Sequence, residues 1–286
     1  MIDKDTEGNT FTEIQAEPNR IQGKKRFMRG SAGFKKQKPI TSDFQSGLHG
    51  VLVTVDRCRE HKAAREVLDL FNDVAEQHKP SNLEYSESSD LESQLYEEVR
   101  QLKEQKPQRF EVIDSGCKNL VFINFLDKNL DPIEFVHETL DYVINVTKEP
   151  RTRYTNRIIP IQKTCAASEN SIAKTAVSLI ELAFQRKTGE DEKSSGYKYM
   201  VELKSRNNNS IFKESIRDLL VSKMDPSHSV DLRHPDKIIM VEIFKKACGI
   251  AIIDSKMNNL YKRYNIRTIT MNLKQSEVQI ANSEGS

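Results

Sequence analysis

Residues 151–157, RTRYTNR, hold three arginines, a tyrosine and no acid. Guanidinium forks pair with phosphate oxygens, and a tyrosine ring can stack on a base. The chemistry these residue types suggest is the gripping of a polyanion, not the making of bonds. On an extended strand the offsets between Arg151, Arg153 and Arg157 are all even, which predicts one shared face carrying them beside Tyr154. Lys204 and Arg206 close a later strand and lead into SRNNN, where Asn207 to Asn209 can donate to phosphate or to ribose 2′-hydroxyls. Lys262 and Arg263, set between two tyrosines in YKRY, repeat the aromatic-basic mixture. Near the N-terminus, residues 20–38 carry eight basic residues in nineteen with no acid, among them Lys24, Lys25 and Arg26. That arm suits phosphate contact, nuclear import or mere solubility equally well. Any one of these features alone also fits a solvated strand end. The concentration of the first three, 151–157, 204–209 and 261–264, in one half of the chain is what points to RNA.

Constellations for catalysis are absent from the sequence. There is no G-x-G-x-x-G, P-loop, G-x-S-x-G or H-E-x-x-H, and no cofactor is implied. His228 and His234 lie close together, but neither has a cysteine ligand nearby. Cys58, Cys117, Cys165 and Cys248 form no C-x-x-C pair, so reduced thiols are expected and no metal site. The chain has 286 residues. It contains no apolar run of about 18 residues, and its first residues, MIDKDTEGNT, lack the basic-then-apolar order of a secretory signal. The expected compartment is the nucleus or nucleolus, or the cytoplasm, and the expected state a monomer.

Elements must place these side chains. Residues 1–45 read as a disordered basic arm, since Phe27 and Phe34 are too few for a core. HGVLVTV (49–55) reads as a strand, and 60–77 as a helix with Ala64, Val67, Leu68, Phe71 and Val74 at helical spacing. An acidic insertion lies near 79–106. RFEVIDSG and NLVFINFL give two strands. Asp131, Pro132 and Glu134 open the next helix as cap, first-turn proline and capping-box partner. This pattern makes 46–149 a ferredoxin-like α/β module. Residues 150–254 read as a second α/β domain. It opens with the strand IIPIQK and has helices starting at Ser168 and Ser210. The alternating strand YKYMVELK follows the first helix, and two nearly continuous apolar strands are placed around Gly249. Residues 255–286 form a basic, polar tail.

Charge is divided between the halves. Residues 46–149 carry 12 basic and 21 acidic groups, whereas 150–254 carry 18 and 13, although the whole chain nets only +2. A basic half suits a polyanionic partner and an acidic half suits a protein one.

The order of segments is itself informative. RTRYTNRIIPI, then YKYMVELKSRNNNSI, then VDLRHPDKIIMVEIFKKACGIAIID resembles the THUMP domain, an RNA-binding module of tRNA-modifying proteins. V-D-L-x-x-P-D followed by a strand with V-E-I is the most telling part. Over roughly residues 20–270 the chain is similar to the stand-alone eukaryotic THUMP proteins that act as tRNA acetylation adaptors. The resemblance implies a non-catalytic protein that binds tRNA. It implies a partner too, an RNA cytidine acetyltransferase that uses ATP and acetyl-CoA to make N4-acetylcytidine in the D-arm of serine and leucine tRNAs. Arg153, Arg157 and Arg206 match basic positions of the family. Asp231, Pro235 and Asp236 match its signature, and their residue types suit a turn. Only 32 residues follow Asp254, fewer than a fused catalytic domain needs. Two other functions fit the same residues. One is a tRNA-modifying enzyme in its own right. The other is an interaction scaffold whose acidic half recruits the acetyltransferase.

Overall fold

The structure, a computed structural model, describes residues 45–77, 108–149, 151–185 and 196–284. The basic arm with Lys24, Lys25 and Arg26 and the acidic insertion near 79–106 lie outside the described residues. Among the described residues the chain is a mixed α/β protein with two sheets and six helices.

The first sheet contains β1 (Gly50–Val55), β2 (Phe110–Asp114), β3 (Leu120–Phe125) and β4 (Thr155–Ile161). Its order is β2-β3-β1-β4, with every neighbour antiparallel. Helix α1 (Glu60–Gln77) buries Ala63, Ala64, Val67, Leu70, Phe71 and Val74 on one stripe, the spacing expected of an amphipathic helix. Helix α2 (Pro132–Asp141) starts as its sequence dictates. Asp131 Oδ1 accepts from the backbone N–H of Ile133 at 2.7 Å and of Glu134 at 3.1 Å, with proline in the first turn. Under these helices Phe71, Phe110, Phe125 and Phe135 form a closed aromatic cluster. All six pairs of ring centroids are 5.1 to 5.9 Å apart, mostly edge to face.

The second sheet contains β5 (Lys163–Ala166), β6 (Lys198–Arg206), β7 (Ser229–Val230), β8 (Lys237–Phe244) and β9 (Ala247–Asp254), ordered β5-β9-β8-β6-β7. β6 runs parallel to β7 and β8, and the other pairs are antiparallel. Helices α3 (Glu169–Ala183) and α4 (Lys213–Ser222) pack Ile172, Ala176, Ile216 and Leu220 against Tyr199, Leu203, Ile239 and Val241. The opposite face, with Ile238, Met240, Phe244, Ala251 and Ile253, joins the core of the first sheet. A sheet covered on both faces needs apolar residues at every position, which explains the unbroken runs in β8 and β9.

The chain then returns to the first sheet. Helix α5 (Ser255–Leu260) is followed by α6 (Ile266–Glu284). Between them Lys262, Arg263 and Tyr264 are all left-handed, with φ of 51°, 57° and 59°. Each such non-glycine residue costs about 1–2 kcal/mol. The turn is held because it buries Tyr261 and Tyr264, 2% and 1% exposed, and because the Tyr264 carbonyl accepts from the Ile158 N–H at 3.1 Å on the free edge of β4. His137 of α2 stacks on both tyrosines and meets Tyr264 Oη at 3.1 Å.

Burial holds the His137 imidazole below its ordinary pKa, against the opposing fields of Asp141, Asp131, Asp254 and Glu134. The unfolded chain therefore binds the extra proton more readily. Stability should be full above pH about 6.5 and fall as pH drops from there through the lower folded-state value. Melting temperature measured between pH 7.5 and 5 should show this slope in the wild type. It should be reduced in H137Q, and an equal slope in both proteins would refute the assignment.

Four elements differ from the sequence-based expectation. The segment read as a polar, disordered tail from 255 forms α5 and α6 instead, because Tyr261, Tyr264, Ile266 and Ile269 bury themselves against the first sheet. The strand expected to open the second half, β4, pairs with β1 and completes the first sheet, because its isoleucines 158, 159 and 161 complete that core. The turn between the two apolar strands falls at Lys245-Lys246, with Lys245 left-handed, and not at Gly249. Gly249 lies inside β9, where a Cβ would sit 2.9 Å from the Ile161 side chain, so its bareness admits β4. Helix α4 begins at Lys213 and not at Ser210, because Asn208 Oδ1 takes the backbone N–H of Ser210 and Ile211 at 3.1 and 3.2 Å and closes an Asx-turn first. That leaves Phe212 72% exposed, ahead of the helix.

Candidate nucleic-acid interface

At one end of the molecule the two sheets leave an open cleft of about 1070 Å³. The first sheet lines it with Thr54, Val55, Arg157 and the β2–β3 turn Gly116 to Asn119. The second lines it with Lys204, Ser205, Arg206 and Asn207 at the end of β6. Four residues picked out by type and spacing, Arg157, Lys204, Arg206 and Asn207, thus converge from segments about fifty positions apart. Lys118 joins them, and Lys245 lies close by. The Lys245 ammonium would be 2.5 Å from a Cβ on Gly116, whose φ is +66°. Glycine adopts that left-handed backbone without strain and leaves room for the lysine.

The cations are held by acids beneath them. Register sets Lys204 of β6 opposite Glu242 of β8. Glu242 is 2% exposed and pairs with Arg206, while Lys204 Nζ lies 3.7 Å from Glu242 and 2.5 Å from Glu202. A buried carboxylate between two cations satisfies its own desolvation and fixes the Arg206 guanidinium, which keeps further N–H donors for a ligand. Asn208 ties the loop down, donating to the Lys245 carbonyl at 2.6 Å, while Asn207, left-handed at φ 53°, is exposed at the rim. Cys117 is the nucleophilic side chain in the cleft, and burial pushes its thiol above the ordinary value. Reactive thiols are depressed, not raised.

The rest of RTRYTNR goes elsewhere. Residues 151–154 precede β4 and are not strand, and the pairing of β4 with β1 slips between Thr155 and Arg157. Parity therefore fails, and Arg151 and Arg153 do not share the face of Arg157. Arg151 pairs with Asp73 of α1 on the surface. The backbone N–H groups of Arg153 and Tyr154 both donate to Glu66 Oε2 at 3.0 Å, so α1 anchors this stretch. Around the Tyr154 ring stand Arg59, Lys62 and Arg153, each 5.5 or 5.6 Å from its centroid. Beside them Arg267 of α6 bonds Asp56 at 2.6 Å and holds that carboxyl below its usual range. Lys262 and Arg263 are exposed on the left-handed turn and do not line the cleft.

Lys118, Lys245, Arg59 and Lys62 escaped the sequence reading because Lys118 stands alone, Lys245 is one of a turn pair with Lys246, and Arg59 and Lys62 are interleaved with Asp56, Glu60 and Glu66. The usable signal was positional. The β2–β3 turn and the β8–β9 turn had to lie at the strand ends that carry Arg157 and Arg206.

The V-D-L-x-x-P-D signature is a structural clip. Asp231 Oδ1 accepts from the N–H groups of Arg233 and His234, both at 2.9 Å, and Lys198 Nζ lies 3.1 Å from its other oxygen. These bonds, backbone ones first, push its pKa down to about 2. Asp236 accepts from the Lys198 N–H at 2.8 Å. The two carboxylates fasten the start of β6 to the crossover before β8.

Known proteins share this arrangement of segments. Residues 166–253, spanning the second sheet from the end of β5 through β9, match the THUMP domain family. The chain is 29% identical to THUMP domain-containing protein 1 of Mus musculus over 293 aligned residues, which cover 93% of this chain and 78% of that protein. It is 29% identical to THUMP domain-containing protein 1 of Homo sapiens, covering 92% and 73%. With the tRNA acetyltransferase TAN1 of Saccharomyces cerevisiae it shares 25% identity, covering 82% and 89%. The clip, the strand-end loop and the parallel β6–β8 pair all fall within the matched segment, so residues 166–253 carry a THUMP domain.

Proposed function

We propose that this protein binds tRNA and serves tRNA acetylation as a non-catalytic adaptor. On this reading the nucleotide chain enters between a ferredoxin-like module, drawn at 46–149 with β4 added, and the THUMP domain, while the basic arm supplies further phosphate contacts. The partner is an RNA cytidine acetyltransferase that brings the ATP and acetyl-CoA chemistry. The product is N4-acetylcytidine in the D-arm of serine and leucine tRNAs. The observation that carries the reading is the cleft. Lys118, Arg157, Lys204 and Arg206 converge there with Asn207, a lining suited to phosphate and ribose. The adaptor reading is supported by the Cys117 thiol, whose pKa burial pushes up, away from that of an activated nucleophile.

A second reading, an enzyme acting alone, is favoured by the name of the yeast relative. The two separate cleanly. Purified protein given tRNA, ATP and acetyl-CoA should form no acetylcytidine until the acetyltransferase is added. Product without that partner would overturn the adaptor role. Mass spectrometry of tRNA nucleosides from cells lacking the protein should show acetylcytidine lost from serine and leucine tRNAs and retained in ribosomal RNA.

A further inference from the structure

We infer that Arg59, Lys62 and Arg153, gathered on the ring of Tyr154, form a phosphate-binding subsite separate from the cleft. The inference rests on the tRNA-binding reading and adds a second point of contact to it. Each cation lies within 5.6 Å of one ring centroid, so no two charges are more than about 11 Å apart. All three side chains are exposed, and no salt bridge joins any of them to a carboxylate among the described residues. Glu66, which lies against this stretch, is occupied by the backbone N–H groups of Arg153 and Tyr154. Three like charges on one ring repel one another, and cation–π attraction at an exposed site offsets only about 0.5–1 kcal/mol for each. An anion seated among them removes the repulsion.

The geometry also reassigns Tyr154. Its ring is half-buried, packed against the core of the first sheet, and its remaining surface is occupied by cations. It is a hub that collects charge and not a platform for a base. The chemistry that fits is a phosphate oxygen set, met by two guanidinium forks and one ammonium. Two sources supply it on an RNA. One is the doubly charged 5′-terminal monoester and the other a backbone diester.

The test uses the full chain and tRNA carrying either a 5′-phosphate or a 5′-hydroxyl, with affinity measured across a range of salt. R59Q/K62Q/R153Q should weaken binding roughly 10- to 100-fold and make the logarithmic salt slope shallower by about two to three. If removing the 5′-phosphate weakens the wild type alone, the terminal monoester is the ligand. If it changes nothing while the triple variant still loses slope, the ligand is a backbone phosphate. A triple variant with wild-type affinity and slope, alongside a cleft variant that is weakened, would overturn the subsite and leave the cleft standing. Failure of the wild type to bind tRNA would instead remove the reading beneath it. The three side chains are exposed, so an unchanged melting temperature is expected. If the triple variant does not fold, R59Q and K62Q made singly carry the same test.

Discussion

Replacing Lys118, Arg157 and Lys204 together by glutamine is expected to weaken tRNA binding by roughly 100-fold near physiological salt and to lower the logarithmic salt slope by about three. The three residues come from a turn of the first sheet, from β4 and from β6, yet line one cleft. Each removed cation takes with it the counterions that its phosphate contact would have released. Arg206 is left in place deliberately. Its partner Glu242 is 2% exposed and Arg206 is the nearer of its two cations, Lys204 lying 3.7 Å away and bonded more closely to Glu202, so truncating the arginine would leave the buried charge far less compensated than truncating the lysine does. The measurement is a set of titrations at several salt concentrations. Equal slopes for variant and wild type would mean that the RNA does not enter between the sheets.

The second large effect concerns folding. F71A should destabilise the protein by about 3–5 kcal/mol, a large share of the roughly 5–15 kcal/mol available to a native chain. Phe71 is fully buried and lies within 5.9 Å, centroid to centroid, of Phe110, Phe125 and Phe135. Its removal opens a void that three rigid rings cannot close. Chemical denaturation read by far-UV circular dichroism gives the value. A loss below about 1 kcal/mol would show that the cluster relaxes and that the ring contacts carry little.

Local chemistry made much of this architecture legible in the sequence. Helix α1 was readable to the residue because its apolar stripe repeats at helical spacing between polar flanks. Asp131 and Ser168 marked helix starts because a short side-chain oxygen before an apolar run has one favourable use. What escaped was set by distant partners. Nothing near Gly249 reveals that Ile161, almost ninety residues away, presses against it. Nothing near Arg157 reveals the register slip that parts it from Arg151 and Arg153. Of the interface, Arg157, Lys204, Arg206 and Asn207 could be named because they cluster by type. Lys118 and Lys245 could not, because a lysine on a turn, alone or beside Lys246, looks the same whether it faces solvent or a cleft. The tyrosines of YKRY misled for a related reason. A buried aromatic and a stacking one are the same letter, and only the left-handed turn beside β4 shows that Tyr261 and Tyr264 point inward.

The route of the chain also constrains how the protein is made. β4 lies on the first sheet, and among the described residues its free edge is met by Tyr264 and the helix that follows. The N-terminal lobe therefore cannot be finished while the C-terminal segment remains inside the ribosome. Synthesis must pass residue 264 before the earlier-made lobe is sealed. A nascent chain stalled near residue 250 should thus remain open to proteolysis in its first lobe, however complete that lobe looks by length.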